Sequence, residues 1–168
     1  MLVFPLLKTE RLLLRQLRVD DFPSLVRHAN NRSITDRIVN MQFPYREPQA
    51  AFRLACVNKG FKQQSHFCFA IIHREREECT GEISLHLNAD KTAAELGYWL
   101  GEMYWNQGLI TEAIAAVVTF GRERLELQRI QATCDLDNLG SKRVLEKNGF
   151  ALLVVRGKTE VWHFTSKL

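Results

Sequence analysis

Hydrophobic residues along the chain follow two spacings, and the spacing changes from one segment to the next. Alternation with period two, or a short unbroken apolar run, predicts a strand in seven places. The predicted strands cover 9–17, 65–74, 79–87, 93–100 and 129–137, followed by the two arms of a hairpin over 150–165. Gly157 and Lys158 provide the turn of that hairpin.

Apolar residues spaced three and four apart predict helices between these strands. The first begins after Asp21, the second runs from Pro48 to Gly60, the third ends near Arg124, and the fourth covers 138–149. The resulting order, β-α-α-β-β-β-α-β-α-β-β, predicts an α+β fold with a mixed, mostly antiparallel central sheet of about seven strands flanked by helices. The third helix is a crossover, so the fourth and fifth strands are expected to be parallel.

The composition is typical of one soluble globular domain spanning residues 1–168, with 46% hydrophobic and 25% charged residues. The formal net charge of +4 suits an anionic ligand but is spread too evenly to predict nucleic-acid binding. The apolar start, MLVFPLL, is too short for a membrane span and lacks the basic leader of a signal peptide. Four cysteines occur singly, as expected for free thiols of a cytoplasmic protein.

The stretch YWLGEMYWNQGLITEAI, residues 98–114, begins like a strand and ends like the first turns of an amphipathic helix. The first N–H groups of a helix lack intrahelical acceptors, and the helix dipole adds about half a positive charge there. Gln107 to Thr111 would therefore offer successive donors to an anion such as phosphate, with Gly108 permitting close approach of the backbone. An ordinary strand-to-helix turn capped by Thr111 explains the same residues, and the loop alone leaves both interpretations open.

A second polar helix start follows the next predicted strand, in the sequence DNLGSKRVLEKNGF. Asn138 and Ser141 lie in its first turn, where Asn138 is also a suitable N-cap. Because the two parallel strands each lead into a helix from the same sheet edge, both helix starts are expected beside one crevice. Crevices of this kind are frequent ligand sites.

Together these two segments resemble the acetyl-CoA signature of the GNAT acetyltransferases. The motifs are YWNQGLITEA and, at the expected distance, NLGSKRVLEKNGF. The opening LKTERLLLRQLRVDDFPSL is similar to that of the RimJ/RimL-like branch, the ribosomal-protein N-acetyltransferases. The resemblance implies the GNAT fold and transfer of the acetyl group of acetyl-CoA to a primary amine, with a protein N-terminal α-amino group as the favoured acceptor. A small amine (a polyamine, amino acid or antibiotic) and a non-catalytic acyl-CoA-binding module are the alternatives.

The resemblance also implies where coenzyme A binds. Its pyrophosphate would lie on the N–H groups of Asn106, Gln107, Gly108, Leu109, Ile110 and Thr111. Its pantetheine arm would follow the backbone of Trp99 and Leu100 between the fourth and fifth strands, with Asn138 in contact.

Two residues depart from the usual pattern of this branch, W-G-x-G-x-A. Asn106 replaces the first glycine, and Ile110 stands where glycine or alanine is expected. Backbone N–H donors survive such changes, provided that Ile110 turns into the core. Its place on the apolar stripe of the helix allows that orientation.

Direct transfer to an amine requires a base, an oxyanion site and a donor for the leaving sulfur. Similarity to the family makes Glu95 the expected base, and Glu82 is the other candidate. The alternative role for Glu95 is an ion pair with a neighbouring Lys or Arg. Many GNAT enzymes use a tyrosine as the acid, and Leu145 stands at the corresponding position here. Ser141 is then the available hydroxyl near the leaving sulfur. The alternative for Ser141 is that it only packs at the start of the helix. Backbone N–H groups near Trp99–Leu100 would hold the oxyanion.

No other chemistry is indicated by the spacing of reactive residues. The five histidines show no metal-binding pattern such as H-E-x-x-H, so no metal is expected. Tyr98, Trp99, Tyr104 and Trp105 are interpreted as aromatics of the core or of a cleft wall. An acceptor cleft is expected between the irregular segment 31–46 and the final hairpin. The protein is expected to be a monomer or a homodimer.

Overall fold

Eight strands form one sheet in the computed structural model, which describes residues 3–165. The strands are β1 (Leu7–Lys8), β2 (Leu12–Gln16), β3 (His66–His73), β4 (Glu78–Leu87), β5 (Ala93–Leu100), β6 (Arg129–Asp135), β7 (Phe150–Arg156) and β8 (Thr159–Phe164). Across the sheet they follow the order β1-β2-β3-β4-β5-β6-β8-β7. Neighbouring strands are antiparallel except β5 and β6, which are parallel as predicted.

The strand that exceeds the predicted number is β1, where Leu7 and Lys8 pair with β2. Two residues are too few to produce a recognisable alternation, so periodicity does not predict this strand. The predicted hairpin at the other end of the sheet is confirmed. β7 and β8 are joined by a turn in which Gly157 has a φ of +60°.

Five helices flank the sheet: α1 (Phe22–Ala29), α2 (Arg32–Thr35), α3 (Glu47–Lys62), α4 (Leu109–Glu123) and α5 (Leu139–Lys147). Four of them correspond to predicted helices, whereas α2 lies in the segment predicted to be irregular. This single turn is too short to show helical periodicity, and its N-cap holds it. The Asn31 side chain accepts a hydrogen bond from the Ser33 N–H at 2.9 Å. None of the helices within residues 3–165 combines the length and the apolar character needed to cross a membrane.

The sheet separates two hydrophobic cores, and β5 contributes to both. Leu96 and Leu100 pack on the side of α4, whereas Trp99 packs on the side of α1 and α3. Side chains alternate along a strand, so Glu95 projects toward the α1–α3 side with Trp99. Tyr98 packs on the α4 side. The predicted alternation of β5 is confirmed by this division.

β4 and β5 approach each other very closely at Gly81. A Cβ placed there would lie 2.2 Å from the Trp99 carbonyl oxygen and 2.9 Å from the Leu100 Cα. Both are backbone atoms, which cannot rotate away. Glycine is therefore required for β4 to pair closely with the end of β5.

The Gly81→Ala variant is predicted to lose about 3 kcal/mol of unfolding free energy, because the added methyl group forces the two backbones apart. Urea denaturation measures this loss. Gly140→Ala is the control, since a Cβ at Gly140 would come no closer than 3.7 Å to Asn138, and alanine favours a helix such as α5. Equal stability of Gly81→Ala and the wild type would contradict the close approach.

Candidate active site

β5 and β6 are paired along only part of their length. Their parallel register holds for four residue pairs, the last of which is Leu96 opposite Ala132. Beyond that pair the strands diverge, and we call the wedge between residues 97–100 and residues 133–135 the β5–β6 opening. A crevice at the carboxyl ends of parallel strands is a frequent position for a ligand.

The backbone of Leu100 faces the β5–β6 opening. Gly101 donates its N–H to the Thr80 carbonyl at 2.8 Å, and backbone groups alternate sides along an antiparallel strand. The backbone groups of Trp99 are therefore directed at β4, and those of Leu100 at the opening. The Leu100 carbonyl accepts a hydrogen bond from the Trp105 indole at 2.7 Å. The Leu100 N–H remains as a donor directed at the opening.

The loop between β5 and α4 presents a row of backbone N–H donors. The first backbone bond of α4 runs from the Glu112 N–H to the Gly108 carbonyl, at 3.1 Å. Within the described part of the chain, no acceptor pairs with the N–H groups of residues 106–111, which we call the donor loop. Gly108, and not Thr111, is the N-cap. With the helix dipole, these donors form a site for an anion.

The two departures from the family pattern leave the donor loop intact. Asn106 and Gly108 adopt left-handed conformations, with φ values of +60° and +78°. Asparagine tolerates this region better than most residues with a side chain, so it can replace glycine at position 106. Ile110 packs against the core as predicted, and Leu109 beside it is buried. The Gln107 side chain donates to the Met103 carbonyl at 2.8 Å.

Arg11, just before β2, connects the first strands to the donor loop. Its Nε donates to Glu112 and its Nη1 to the Gln107 carbonyl, each at 2.8 Å. The Arg11 backbone N–H donates to the other Glu112 oxygen, also at 2.8 Å. Burial acts to raise the pKa of Glu112, but hydrogen bonds from Thr9 and Arg11 outweigh it and lower that pKa. Glu112 therefore stays ionised and holds the guanidinium beside the donor loop.

Asn138 and Ser141 lie at the start of α5, as predicted. The Asn138 side chain accepts a hydrogen bond from the Ser141 N–H at 3.1 Å and is therefore the N-cap. The Ser141 Oγ lies 2.6 Å from the Tyr98 hydroxyl, on the α4 side of the sheet. Burial raises the pKa of Tyr98, so the phenol stays protonated. Leu145, one turn further along α5, is fully buried and carries no hydroxyl.

Sequence patterns do not identify Arg11 or the Tyr98 hydroxyl as parts of the site. Arg11 is 101 residues from Glu112, and Tyr98 is 43 residues from Ser141, so no local spacing connects either pair. The alternation of β5 places Tyr98 on the correct face but does not reveal its partner. Covariation between each pair in an alignment is the signal that would indicate these contacts.

Glu95 and Glu82 lie on the α1–α3 side of the sheet in different environments. Glu95 is exposed and stands opposite His86 of β4. Glu82 is 3% exposed, and both of its oxygens accept from the Arg53 Nε at 3.2 Å. The Trp99 indole also donates to Glu82, at 3.0 Å. The oxygens of Glu82 are thus occupied, whereas those of Glu95 are open to solvent.

An open cavity of about 620 Å³ adjoins the carboxyl end of β6. Its lining comes from the region of α2, the turn after β6 and the hairpin turn: Arg32, Ser33, Asp36, Arg37, Asp135, Leu136, Asp137 and Lys158. Arg37 Nη1 lies 2.8 Å from Asp137 and 3.4 Å from Asp135. The segment 31–46 and the final hairpin therefore border one cavity. Within residues 3–165, no group of three or more His, Cys, Asp or Glu side chains is arranged to hold a metal ion.

Known proteins share both sequence and fold with this chain. Residues 11–151 match the family model described as an acetyltransferase (GNAT) domain. The uncharacterized N-acetyltransferase YoaA of Bacillus subtilis is 32% identical over 149 residues, which cover 88% of this chain and 84% of YoaA. The ribosomal-protein-serine acetyltransferase of Escherichia coli is 35% identical over 96 residues, which cover 56% of this chain and 53% of that enzyme. RimL, a ribosomal α-N-protein acetyltransferase solved with coenzyme A, shares the fold with a TM-score of 0.82 at 19% identity, over 95% of this chain and 97% of RimL.

Arg11→Gln is predicted to raise the dissociation constant of coenzyme A about tenfold, because it removes both a cation and an anchor of the donor loop. Isothermal titration calorimetry measures the change. Arg74→Gln is the matched control, since Arg74 donates to the carbonyls of Thr9 and Glu10 and makes no hydrogen bond to the loop. The control should bind coenzyme A like the wild type. Wild-type affinity in Arg11→Gln would exclude Arg11 from the site.

Proposed function

The chain belongs to the GNAT acetyltransferase family and is an acetyl-CoA-dependent N-acetyltransferase, and on that basis we propose that it acetylates the N-terminal α-amino group of a protein. The relative described as a ribosomal-protein-serine acetyltransferase supports a ribosomal protein as the acceptor. The observation that carries the proposal is the β5–β6 opening, which has the Ser141 hydroxyl on one face of the sheet and, on the other face, Glu95 two residues before the opening, where β5 is still paired with β6. Two substrates approaching from opposite faces would meet there.

Acetyl-CoA would enter from the α4 side of the sheet. Its pyrophosphate would accept hydrogen bonds from the donor loop, residues 106–111. Its pantetheine arm would extend past Trp99, whose backbone groups are directed at β4, follow the backbone of Leu100 in the opening and contact Asn138. The row of N–H groups without protein acceptors supports this path, because a ligand with phosphates at one end and amides along its length would satisfy them. RimL, which shares the fold, binds coenzyme A.

The reaction would be a direct transfer between the two substrates. The amine nitrogen attacks the thioester carbonyl carbon, a C–N bond forms, and the carbonyl electron pair moves to oxygen. The Leu100 N–H directed at the opening would bind that oxyanion. When the intermediate collapses, the C–S bond breaks and its electron pair leaves on sulfur, near Ser141. Glu95 takes the proton from nitrogen, directly or through a water molecule.

Glu95, and not Glu82, is the proposed base. A proton on Glu82 would disturb a buried ion pair with Arg53, at 3.2 Å, and a hydrogen bond from Trp99. Glu95 is exposed on the face of the sheet that the amine would approach. Access and unoccupied oxygens therefore both favour Glu95.

An α-amino acceptor requires less of the base than a lysine does. Its pKa in model peptides is about 7.7–8.0, against about 10.4 for lysine, so a much larger fraction is already neutral at physiological pH. Asp135 and Asp137 in the cavity are paired with Arg37, which leaves the carboxylate of Asp36 to attract the ammonium form before it is deprotonated. The cavity is open to solvent, which suits an acceptor that continues into a polypeptide.

A small amine is the second candidate acceptor, and the charges of the same cavity favour it. Arg32, Arg37 and Lys158 line the cavity together with its aspartates. A zwitterionic metabolite would find partners for both of its charges there. The volume of about 620 Å³ lies within the usual range for small-molecule sites, about 300–1,000 Å³.

We further propose that residues 1–168 form one acetyltransferase domain, which acts in the cytoplasm as a monomer or a homodimer. The single sheet formed by all eight strands supports one domain. The four free cysteines and a ribosomal acceptor support a reducing compartment.

A panel of amines with acetyl-CoA distinguishes the acceptors, with release of free thiol as the readout. The panel contains a ribosomal N-terminal peptide, the same peptide blocked at its N-terminus but carrying a lysine, a polyamine and a free amino acid. We expect kcat/KM for the unblocked peptide to be at least about tenfold higher than for the others. A higher kcat/KM for the polyamine or the amino acid would establish a small amine as the acceptor. If neither peptide is acetylated, a protein N-terminus is not the acceptor.

Glu95→Gln is predicted to lower kcat/KM about 100-fold with the preferred amine, because the protonated amine then has no base. Glu82→Gln is the comparison. It should mainly lower stability, by about 3 kcal/mol or more, since Arg53 then loses its buried partner. Kinetics and urea denaturation separate the two effects. If Glu95→Gln keeps wild-type activity across about pH 6–9, where α-amines titrate, Glu95 is not the base.

A further inference from the structure

Two hydroxyl groups meet at the β5–β6 opening, on the face opposite Glu95. The Tyr98 hydroxyl and the Ser141 Oγ are 2.6 Å apart, at the short end of the range for O–H···O hydrogen bonds. Tyr98 extends from β5, and Ser141 lies in the first turn of α5. The contact therefore ties a strand of the opening to the helix that follows the other strand.

The direction of this hydrogen bond follows from the chemistry of the two groups. A phenol is a better donor and a poorer acceptor than an aliphatic hydroxyl, because its oxygen shares electron density with the ring. Burial raises the pKa of Tyr98, so the phenol keeps its proton at any working pH. Tyr98 is therefore the donor and the Ser141 Oγ the acceptor. The single hydrogen of Ser141 is left for another partner.

A second neighbour of Ser141 is the thiol of Cys134 on β6. Cys134 is buried, and burial raises its pKa, so it stays a neutral thiol. A neutral thiol is only a weak acceptor. The hydrogen of Ser141 is thus available to a stronger acceptor that enters the opening, and a thiolate is such an acceptor.

We propose that Tyr98 is a positioning residue for acetyl transfer, which donates to the Ser141 Oγ and so directs the Ser141 hydrogen toward the leaving sulfur of acetyl-CoA. This inference rests on the proposed function, in which coenzyme A occupies the opening. When the C–S bond breaks, the electron pair stays on sulfur and the Ser141 hydroxyl donates a hydrogen bond to the thiolate. Tyr98 keeps its proton throughout, and water protonates the thiolate after coenzyme A is released. Leu145 of α5 stands where many GNAT enzymes carry a tyrosine. In this protein the phenol near the leaving sulfur comes instead from Tyr98 of β5, which acts through Ser141.

The test titrates the thiol of bound coenzyme A through its thiolate absorption in the ultraviolet. Wild type, Tyr98→Phe, Ser141→Ala and the double variant are compared. In the wild type, the pKa of the bound thiol should lie below that of free coenzyme A. Each single variant should raise the pKa of the bound thiol by about 1 pH unit. The double variant should raise it no further than Ser141→Ala does, because Tyr98 acts through Ser141. Tyr98→Phe retains the ring, so its packing is preserved.

Kinetics with the preferred amine provide the second readout. The same variants should lose about tenfold in kcat, without additivity, while KM for acetyl-CoA is unchanged. Tyr104→Phe is the matched control, because Tyr104 is also buried and its hydroxyl bonds Glu78, away from the opening. It should alter stability alone and leave the thiol pKa and kcat at wild-type values.

A bound thiol that titrates alike in wild type and Tyr98→Phe would overturn the proposal, as would losses that add up in the double variant. The titration needs no acceptor, so it is independent of the acceptor proposed above. A shifted thiol pKa without turnover of any amine would sustain the role of Tyr98 and refute the proposed acceptor.

Discussion

The parallel pairing of β5 and β6 ends after four residue pairs, and the proposed contacts of the pantetheine arm and of the reacting acetyl group depend on that ending. A ladder continued to Leu100 would satisfy the backbone groups of both strands and close the wedge. The divergence instead leaves the Leu100 N–H directed at the opening. The two faces of the sheet differ chemically there, with the Ser141 hydroxyl on one face and, on the other, the Glu95 carboxylate from the last paired part of β5. In the proposed reaction, acetyl-CoA and the amine therefore meet through the sheet without competing for one surface.

The divergence is part of the folded structure and not fraying, because each strand stays paired on its outer side. β4 follows β5 to its end, where Gly81 lies opposite Leu100. β8 follows β6 to its end, where Thr159 lies opposite Asp135. Arg37 adds an ion pair to Asp135 from the α2 region. Two complete ladders thus hold the edges of the wedge, which makes it a preorganised site.

Short-range rules predict most of the fold and the backbone part of the site. The strand pattern of 93–100 and the helical spacing that follows it are enough to predict the donor loop and a crevice beside it, but not the residue at which β5 and β6 diverge. The contacts that complete the site join distant segments, and no local pattern encodes them. Arg11 bonds Glu112 across 101 residues, and Tyr98 bonds a serine 43 residues away. Whether a carboxylate in a strand is free or paired also depends on such distant partners, so the sequence alone does not separate Glu95 from its rival.

The central claim is that the wedge and the donor loop together bind one molecule of coenzyme A. An NMR titration of isotope-labelled protein tests it most directly. Coenzyme A should shift the amide signals of residues 106–111 and of Leu100, while those at the C-terminal end of α3, which packs on β3 and α1, stay unchanged. Pantetheine, which lacks the phosphates, should shift the Leu100 signal and leave 106–111 unaffected. Saturable binding of coenzyme A that shifts neither group would contradict the account.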